Sequence, residues 1–115
     1  MPPAMPLVRL EQTMTLAGEA HGHDALWHYV VATDVSPGHE VEFNAWYDTE
    51  HLAGLVGVPG VAKATRYRVV EGAGPLYHAS YDLAQRSAFN SAAWLAVRGT
   101  PWSSRVRPSF VNTPC

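Results

Sequence analysis

Hydrophobic and polar positions alternate along some segments of this chain and recur at helical spacing along others. Alternation, which predicts strands, marks residues 26–35, 61–71, 76–83 and 105–112. Apolar positions at i, i+3 and i+4, which predict helices, mark residues 38–55 and 88–97. The order β-α-β-β-α-β predicts a ferredoxin-like α+β domain, a four-stranded antiparallel sheet with two helices on one face.

Turn-forming residues separate these segments. Ser36 followed by Pro37 predicts the start of the first helix, with the serine as N-cap. Pro59 between two glycines predicts its end, and the glycine-bearing link 72–75 predicts an antiparallel hairpin. Pro108 indicates that the last strand lies at an edge or contains a bulge.

Residues 1–25 show no sustained period. Residues 7–10 and 14–16 are apolar enough to form short strand or arm segments. We expect residues 1–25 to be a loosely held arm that packs on a partner or is partly disordered. Residues 26–115 then form the domain.

The predicted first helix turns unusual residue types toward the interior. Phe43, Trp46, Tyr47, Glu50 and His51 share one broad face. A helix that only closed a core would usually carry Leu, Val or Ile there. Burying a carboxylate and an imidazole is costly unless each finds a partner, so the pattern indicates a polar network or a ligand pocket. We favour the pocket.

Composition narrows the class of protein. A chain of 115 residues that is 47% hydrophobic is large enough for one domain with a core. The net charge of −2, without a basic block, argues against nucleic-acid binding. No apolar run approaches a membrane span and no signal-peptide pattern is present, so we expect a cytoplasmic protein. The single cysteine, Cys115, excludes an intrachain disulfide and a cysteine metal cluster.

Two predicted helices cover one face of the predicted sheet. The other face still carries large apolar side chains, which a soluble protein does not leave in water. We therefore expect a symmetric homodimer with the two sheets face to face.

Several runs of the chain, spread over roughly residues 27–112, resemble a known superfamily. They are residues 34–51 (DVSPGHEVEFNAWYDTEH), 58–61 (VPGV), 64–67 (ATRY), 77–82 (YHASYD) and 100–105 (TPWSSR). These runs resemble a branch of the dimeric α/β-barrel superfamily. That superfamily includes muconolactone and methylmuconolactone isomerases, aromatic polyketide cyclases, EthD-like proteins and antibiotic-biosynthesis monooxygenases.

The resemblance implies an enzyme that needs neither a metal nor an organic cofactor. Its small-molecule substrate would bind between the sheet and the helices, where polar and aromatic side chains act on acidic C–H bonds. Haem-binding relatives also exist. One fold hosts many reactions, so the resemblance does not specify one.

His51 is the main candidate for chemistry, because an imidazole with an ordinary pKa of about 6.5 can exchange a proton near neutral pH. Glu50, Asp48 or Asn44 would fix its tautomer. The alternative is a structural histidine bonded to a loop carbonyl near the helix end.

Two aromatic side chains of the same helix, Trp46 and Tyr47, either line a pocket for a flat ligand or close the core.

Arg66 and Tyr67 are adjacent on a strand and must point to opposite faces. Arg66 would hold a substrate carboxylate or enolate, or else pair with Glu50 or Asp34. Asp34 itself would orient a base or cap the first helix.

His28 and His78 lie on strands that this fold makes neighbours, so they would approach each other as base and acid. Alternatively they would bind a metal with His51, but no His-x-x-x-His spacing supports this and we predict no metal. Of the two, His78 is the stronger candidate for catalysis. The alternative is that it lies in the dimer contact. A group of basic residues is expected to be solvated surface: Arg98, Arg105 and Arg107.

Three functions follow. The first is cofactor-independent acid/base catalysis on a lactone, polyketide or phenolic intermediate, by isomerisation, cyclisation or dehydration. The second is a cofactor-free monooxygenase, and the third a non-catalytic carrier of a small ligand or haem. His51 is the predicted base, with Tyr47 or His78 as acid or oxyanion donor. The predicted substrate contacts are Asn44, Trp46, Glu50, Arg66, Tyr67 and His28.

Overall fold

Five antiparallel strands form one sheet in the computed structural model, which describes residues 7–22 and 24–113. The strands are β1 (Arg9–Ala17), β2 (Trp27–Val35), β3 (Val61–Glu71), β4 (Tyr77–Leu83) and β5 (Phe110–Val111). Their order across the sheet is β1-β3-β4-β2-β5. Strands β2 to β5 have the order of the split β-α-β-β-α-β unit, with its first and third strands side by side. The predicted α+β class with an antiparallel sheet is therefore confirmed.

The predicted number of four strands is wrong, because the segment predicted to be an arm contributes β1. This strand pairs with β3 from Arg9, opposite Glu71, to Ala17, opposite Lys63. Most of its side chains are exposed, and its partly buried Met14 and Leu16 pack against the core. Such a sparse apolar pattern gives little alternation to recognise. A contact of residues 1–25 with a partner stays a prediction.

Helical segments cover one face of the sheet. They are α1 (Glu40–Trp46), a π-helical turn (Tyr47–His51), α2 (Leu52–Val56), α3 (Ala92–Arg98) and α4 (Pro101–Val106). Short 3-10 turns occupy Arg86–Ala88 and Arg107–Ser109. The first three segments form one continuous helical stretch, which matches the predicted first helix closely.

The predicted cap of that helix is wrong. The residue at the N-cap is His39, and no side chain caps the helix there. The Ser36 hydroxyl instead donates to the carbonyl oxygen of Ser109, 3.2 Å away. Ser36 thus ties the end of β2 to the turn before β5.

The C-terminal third also differs from the prediction. Ser91 caps α3, so that helix begins four residues later than expected. Thr100 caps a further helix, α4, and Pro101 occupies one of its first positions. A capping threonine followed by proline is typical of a helix start, but the hydrophobic pattern of the sequence predicts no helix after residue 97. Because α4 takes up residues predicted to be strand, β5 keeps two residues, paired with Asp34 and Val35.

The core lies between the helices and the inner face of the sheet. Phe43, Trp46 and Leu52 from the helices are fully buried against Ala64 and Tyr81 of the strands.

The other face is open and more polar than predicted. It exposes Val30, but it also carries His28, whose Nδ1 lies 2.8 Å from Asp82 Oδ1, and Lys63, 3.9 Å from the same carboxylate. Within the described residues, no helix is long and apolar enough to cross a membrane.

Candidate functional site

A cavity of about 370 Å³ lies between the helices and the inner face of the sheet. Aromatic side chains from both layers line it, among them Tyr29, Trp46, Tyr47, Tyr81 and Trp94. The polar groups on its wall include His51, Arg98 and Arg107. Its size and its mixture of apolar walls with a few polar groups are typical of small-molecule sites.

The π-helical turn determines which residue of the helix faces this cavity. In an uninterrupted α-helix, Glu50 and Gly54 would follow Phe43 and Tyr47 on the inner face. The turn adds one residue, shown by the backbone N–H of Leu52 donating to the oxygen of Tyr47, five positions earlier. The inner face after the turn therefore consists of His51, Leu52, Leu55 and Val56, all buried. Such turns are frequent at functional sites.

His51 is held by aromatic rings. Its ring stacks on Trp46, with centroids 4.2 Å apart and planes inclined by 23°, and meets the edge of Tyr47 at 5.1 Å. Burial lowers the pKa of His51 to about 4, and the charges of Arg107 and Arg98 add to this effect. The imidazole is therefore neutral at physiological pH and able to accept a proton.

Two phenols stand near His51 in protonated form. Burial raises the pKa of Tyr47 to about 12, although the Tyr81 hydroxyl and the Arg66 guanidinium act in the opposite direction. Burial also raises the pKa of Tyr81 well above its ordinary value. The two hydroxyls are close enough to influence each other, but Tyr81 forms no hydrogen bond of acceptable geometry with any described residue. Both phenols remain hydrogen-bond donors over the whole neutral range.

Three buried polar atoms on the cavity wall have no hydrogen-bond partner among the described residues. They are Trp46 Nε1, His51 Nδ1 and the Tyr81 hydroxyl. Leaving such an atom unpaired costs about 1–3 kcal/mol, and unpaired groups are rare in native proteins. Their concentration around one cavity indicates that a molecule in the cavity, water or a ligand, completes these hydrogen bonds.

The side chains predicted to fix the His51 tautomer are engaged elsewhere. Glu50 accepts a hydrogen bond from the Thr100 hydroxyl at 2.9 Å, at the start of α4. Asp48 and Asn44 both accept hydrogen bonds from Arg66, at 2.7 and 2.9 Å. The added residue of the π-helical turn explains this, because it carries Glu50 out of the inner face.

Arg66 is buried on the helix-covered side of the sheet. The prediction that it pairs with Glu50 or Asp34 is wrong. Besides its bonds to Asp48 and Asn44, its guanidinium lies 4.6 Å from the Tyr47 ring centroid. Asp34 accepts from the Leu76 N–H at 2.8 Å, so it neither caps the helix nor orients a base.

Arg66 and Asn44 line a second cavity of about 230 Å³, away from His51. The structure thus places this pair on the far side of Tyr47 from the imidazole.

The other two candidate histidines and Tyr67 lie on the open face. Strands β2 and β4 are neighbours, as predicted, but His28 is opposite Asp82 and His78 is opposite Ala32. His78 is also opposite Tyr67 on β3, and its Nε2 lies 3.0 Å from the carbonyl oxygen of Pro75. The alternation of β4 forces this placement, since Tyr81 faces inward. The structure therefore brings neither histidine to His51.

The part of the chain that the structure describes contains no candidate metal site. No group of three or more His, Cys, Asp or Glu side chains is placed there to hold an ion.

Several lining residues were not predicted from the sequence. Tyr29 and Tyr81 face each other across β2 and β4, and their alternation with outward-facing neighbours was a usable signal. Trp94 was missed because the start of α3 was placed too early. Arg98 and Arg107 were expected to be solvated surface, but both line the cavity, Arg98 at the end of α3 and Arg107 directly after α4.

Comparison with known proteins reveals a similarity in fold to a solved structure. No family model matches the chain, and no curated protein matches it. A solved structure described as an anthrone oxidase-like protein is similar, with a TM-score of 0.56 and 22% identity. The match covers 94% of this chain and 54% of that one, so this chain spans about half the length of its structural neighbour. The likeness shows a shared fold, which is compatible with a ferredoxin-like architecture. The superfamily and its branch stay predictions.

Proposed function

We propose that this chain is an enzyme that removes a proton from an acidic C–H bond of a small cyclic or aromatic substrate without a cofactor. The supporting observation is the group of three unpaired buried atoms around a cavity with aromatic walls. A neutral imidazole and two protonated phenols meet there, and these are the groups that acid/base catalysis at neutral pH requires.

In the proposed reaction, His51 takes the proton from the substrate carbon. The electron pair of the broken C–H bond moves onto a neighbouring carbonyl or phenol oxygen. The hydroxyls of Tyr47 and Tyr81 donate hydrogen bonds to that oxygen as its charge develops. The imidazolium then returns the proton to another carbon, which gives isomerisation, or to a departing hydroxyl, which gives dehydration. In cyclisation the carbanion attacks a carbonyl carbon of the same molecule, and the imidazolium protonates the alkoxide oxygen that this attack creates.

The pKa of His51 restricts the substrate. Each unit by which the pKa of the C–H bond exceeds that of the imidazole adds about 1.4 kcal/mol to the proton transfer. A base with a pKa of about 4 therefore suits only C–H bonds already made acidic by a carbonyl group or an aromatic ring. Lactones, polyketides and phenolic intermediates have such bonds.

A second candidate, a cofactor-free oxygenase, is favoured by the described identity of the structural neighbour, an anthrone oxidase-like protein. The same deprotonated carbon would add O₂ and take the proton back to form a hydroperoxide. Loss of water would leave a ketone, so that a CH₂ group and O₂ become C=O and H₂O. Both candidates share the first step at His51.

The test compares the natural chain with His51→Ala on a set of lactones, phenols and anthrones. Proton exchange from the substrate carbon into D₂O, followed by NMR, reports the shared first step, and oxygen consumption reports the second candidate alone. The variant is expected to lose about 10²–10⁴-fold in rate, the usual contribution of a positioned base. A His21→Ala variant, changed at an exposed turn, is the control.

Undiminished turnover in His51→Ala would remove His51 from the mechanism. A Soret band in the purified protein would instead support the haem-carrying alternative.

We also propose that two copies associate through their open sheet faces. Val30 is 58% exposed at the middle of β2, and half-buried Tyr67 and Val69 lie on the same face of β3. Association would remove this apolar surface from water, and a two-fold axis would pair each face with its own copy.

A further inference from the structure

Two arginines on the cavity wall have no acidic partner in the part of the chain that the structure describes. Arg9, Arg66 and Arg105 form ion pairs with carboxylates, whereas Arg68 and Arg86 form none with the described residues but do not line this cavity. Arg98 and Arg107 form no ion pair with any carboxylate among the described residues. Their charges nevertheless act on the cavity interior, since both disfavour protonation of His51.

Both arginines line the cavity where it opens to solvent. Arg98 is the last residue of α3, and Arg107 follows α4, so two separate elements direct their cations to one place. Arg98 is exposed and Arg107 half-buried. The Nε of Arg107 donates to Ser103 Oγ at 3.3 Å, which holds the side chain along α4.

Another part of the wall is apolar and aromatic. The Tyr29, Phe89 and Trp94 rings pack together, with centroids 4.5–5.8 Å apart. A ligand in this cavity therefore meets flat aromatic walls as well as two cations. Guanidinium groups bind carboxylates and ionised oxygens through charge-assisted hydrogen bonds.

We propose that Arg98 and Arg107 form an anion-binding subsite and that the cavity selects planar aromatic molecules carrying a negatively charged group, such as a carboxylate. This inference rests on the proposal that the cavity is the substrate site. It narrows the substrate class from cyclic or aromatic compounds in general to aromatic anions.

The test measures binding of 2-naphthoate and of its neutral counterpart 2-naphthamide to the full chain by calorimetry. The two probes share ring size and shape and differ in charge. The natural protein is expected to bind naphthoate about tenfold more tightly or better, since hydrogen bonds to charged groups are stronger than neutral ones. That preference should shrink as salt is raised, because the site is open to solvent.

Substitutions assign the preference to the arginines. In Arg98→Gln/Arg107→Gln, naphthoate affinity should fall about tenfold and naphthamide affinity should stay within about twofold. Arg105→Gln removes an equal charge from an exposed site that pairs with Glu42 outside the cavity, and it should leave both affinities unchanged. Arg107→Lys keeps the charge and should retain most of the preference, which separates charge from the contact with Ser103.

Equal affinity for the two probes, absence of binding by both, or a preference that survives the double substitution would overturn the subsite. The outcome differs from that of the enzymatic proposal. Arginine-dependent naphthoate binding without turnover of any substrate would retain the subsite and reject the enzyme. Turnover of anionic aromatic substrates at an unchanged rate in the double variant would retain the enzyme and reject the subsite.

Discussion

Burial, and not a hydrogen-bonding partner, sets the protonation state of His51. A catalytic histidine is usually oriented by a carboxylate or carbonyl on its second nitrogen, whereas His51 Nδ1 has no partner among the described residues. Stacking on Trp46 fixes the plane of the ring instead. A substrate that pairs with Nδ1 or with the Tyr81 hydroxyl would thus complete the site as it binds.

The pKa of His51 makes stability depend on pH. Its value is about 4 in the folded chain and about 6.5 when unfolded, so between these values the unfolded chain binds more protons. Stability is complete above pH 6.5 and falls as the pH drops toward 4. Between pH 7.5 and pH 4.5 the natural protein should lose about 2.5 kcal/mol more unfolding free energy than His51→Gln, measured by urea denaturation.

His21→Gln, at an exposed turn, should lose as much as the natural protein over the same pH range. An identical loss in His51→Gln and the natural protein would show that the imidazole is not buried in its neutral form.

At the scale of single residues, the sequence predicted the inward residues of the first helix well and their partners poorly. Large aromatics at helical spacing can hardly be placed anywhere but inside, so Trp46, Tyr47 and His51 were found. The hydrogen-bond partners of these side chains depend on the register of the helix and on elements that are distant in the chain. Arg66 bonds to Asp48 and not to Glu50 because the π-helical turn shifts the inner face of the helix. No residue type in the sequence predicts such a turn.

At the scale of elements, β1 is built into the sheet by the close approach of three backbones at Gly18. Its N–H donates to the carbonyl oxygen of Ala62 at 2.9 Å. A Cβ atom at this position would overlap the Val61 carbonyl oxygen and lie 2.7 Å from that of Val56. Residue 18 therefore joins the ends of β1 and α2 and the start of β3.

Gly18→Ala should lower the unfolding free energy by about 1–3 kcal/mol, the usual cost of forcing an added carbon into a packed site. The measurement is the urea midpoint of the full chain. Gly57→Ala is the matched control, because an added Cβ there stays 3.4 Å or more from the nearest carbonyl oxygens, those of Ala53 and Gly54. If Gly18→Ala were as stable as the control, β1 would be the loosely held arm that the sequence first indicated.

Elements with a strong periodic pattern of apolar residues were predicted from the sequence, and elements with a weak pattern were not. Strands β2 to β4 and the first helix have long amphipathic patterns. Strand β1 offers two inward apolar residues, and α4 has only six residues, too few for a period to be recognised. The cavity was expected in the correct place, but half of its lining residues lie in the segment 89–113, where the bounds of the helices and of the last strand were predicted poorly.

At the scale of the whole molecule, the open sheet face decides whether the chain acts as a monomer. Val30→Glu places a charge on that face, at an exposed position near the middle of β2, and should convert the proposed dimer to a monomer in light scattering coupled to size exclusion. Val41→Glu introduces the same charge on the outer side of α1, where the valine is 86% exposed, and should leave the mass unchanged. A natural protein that elutes with the mass of one chain would reject the dimer.

The extra residue in the π-helical turn gives chain length a role at this site that residue type does not have. Deleting one residue from 47–50 would restore an ordinary helix and leave His51 and the residues after it on the inner face, because the turn already absorbs one extra residue. Regularising the helix at its full length would instead rotate those residues by about 100°, the angle per residue of an α-helix, which would bring Glu50 to the cavity and move His51 to its margin. A related chain that lacks one residue here would therefore keep its imidazole at the cavity, although a comparison without a gap would place that imidazole opposite Glu50.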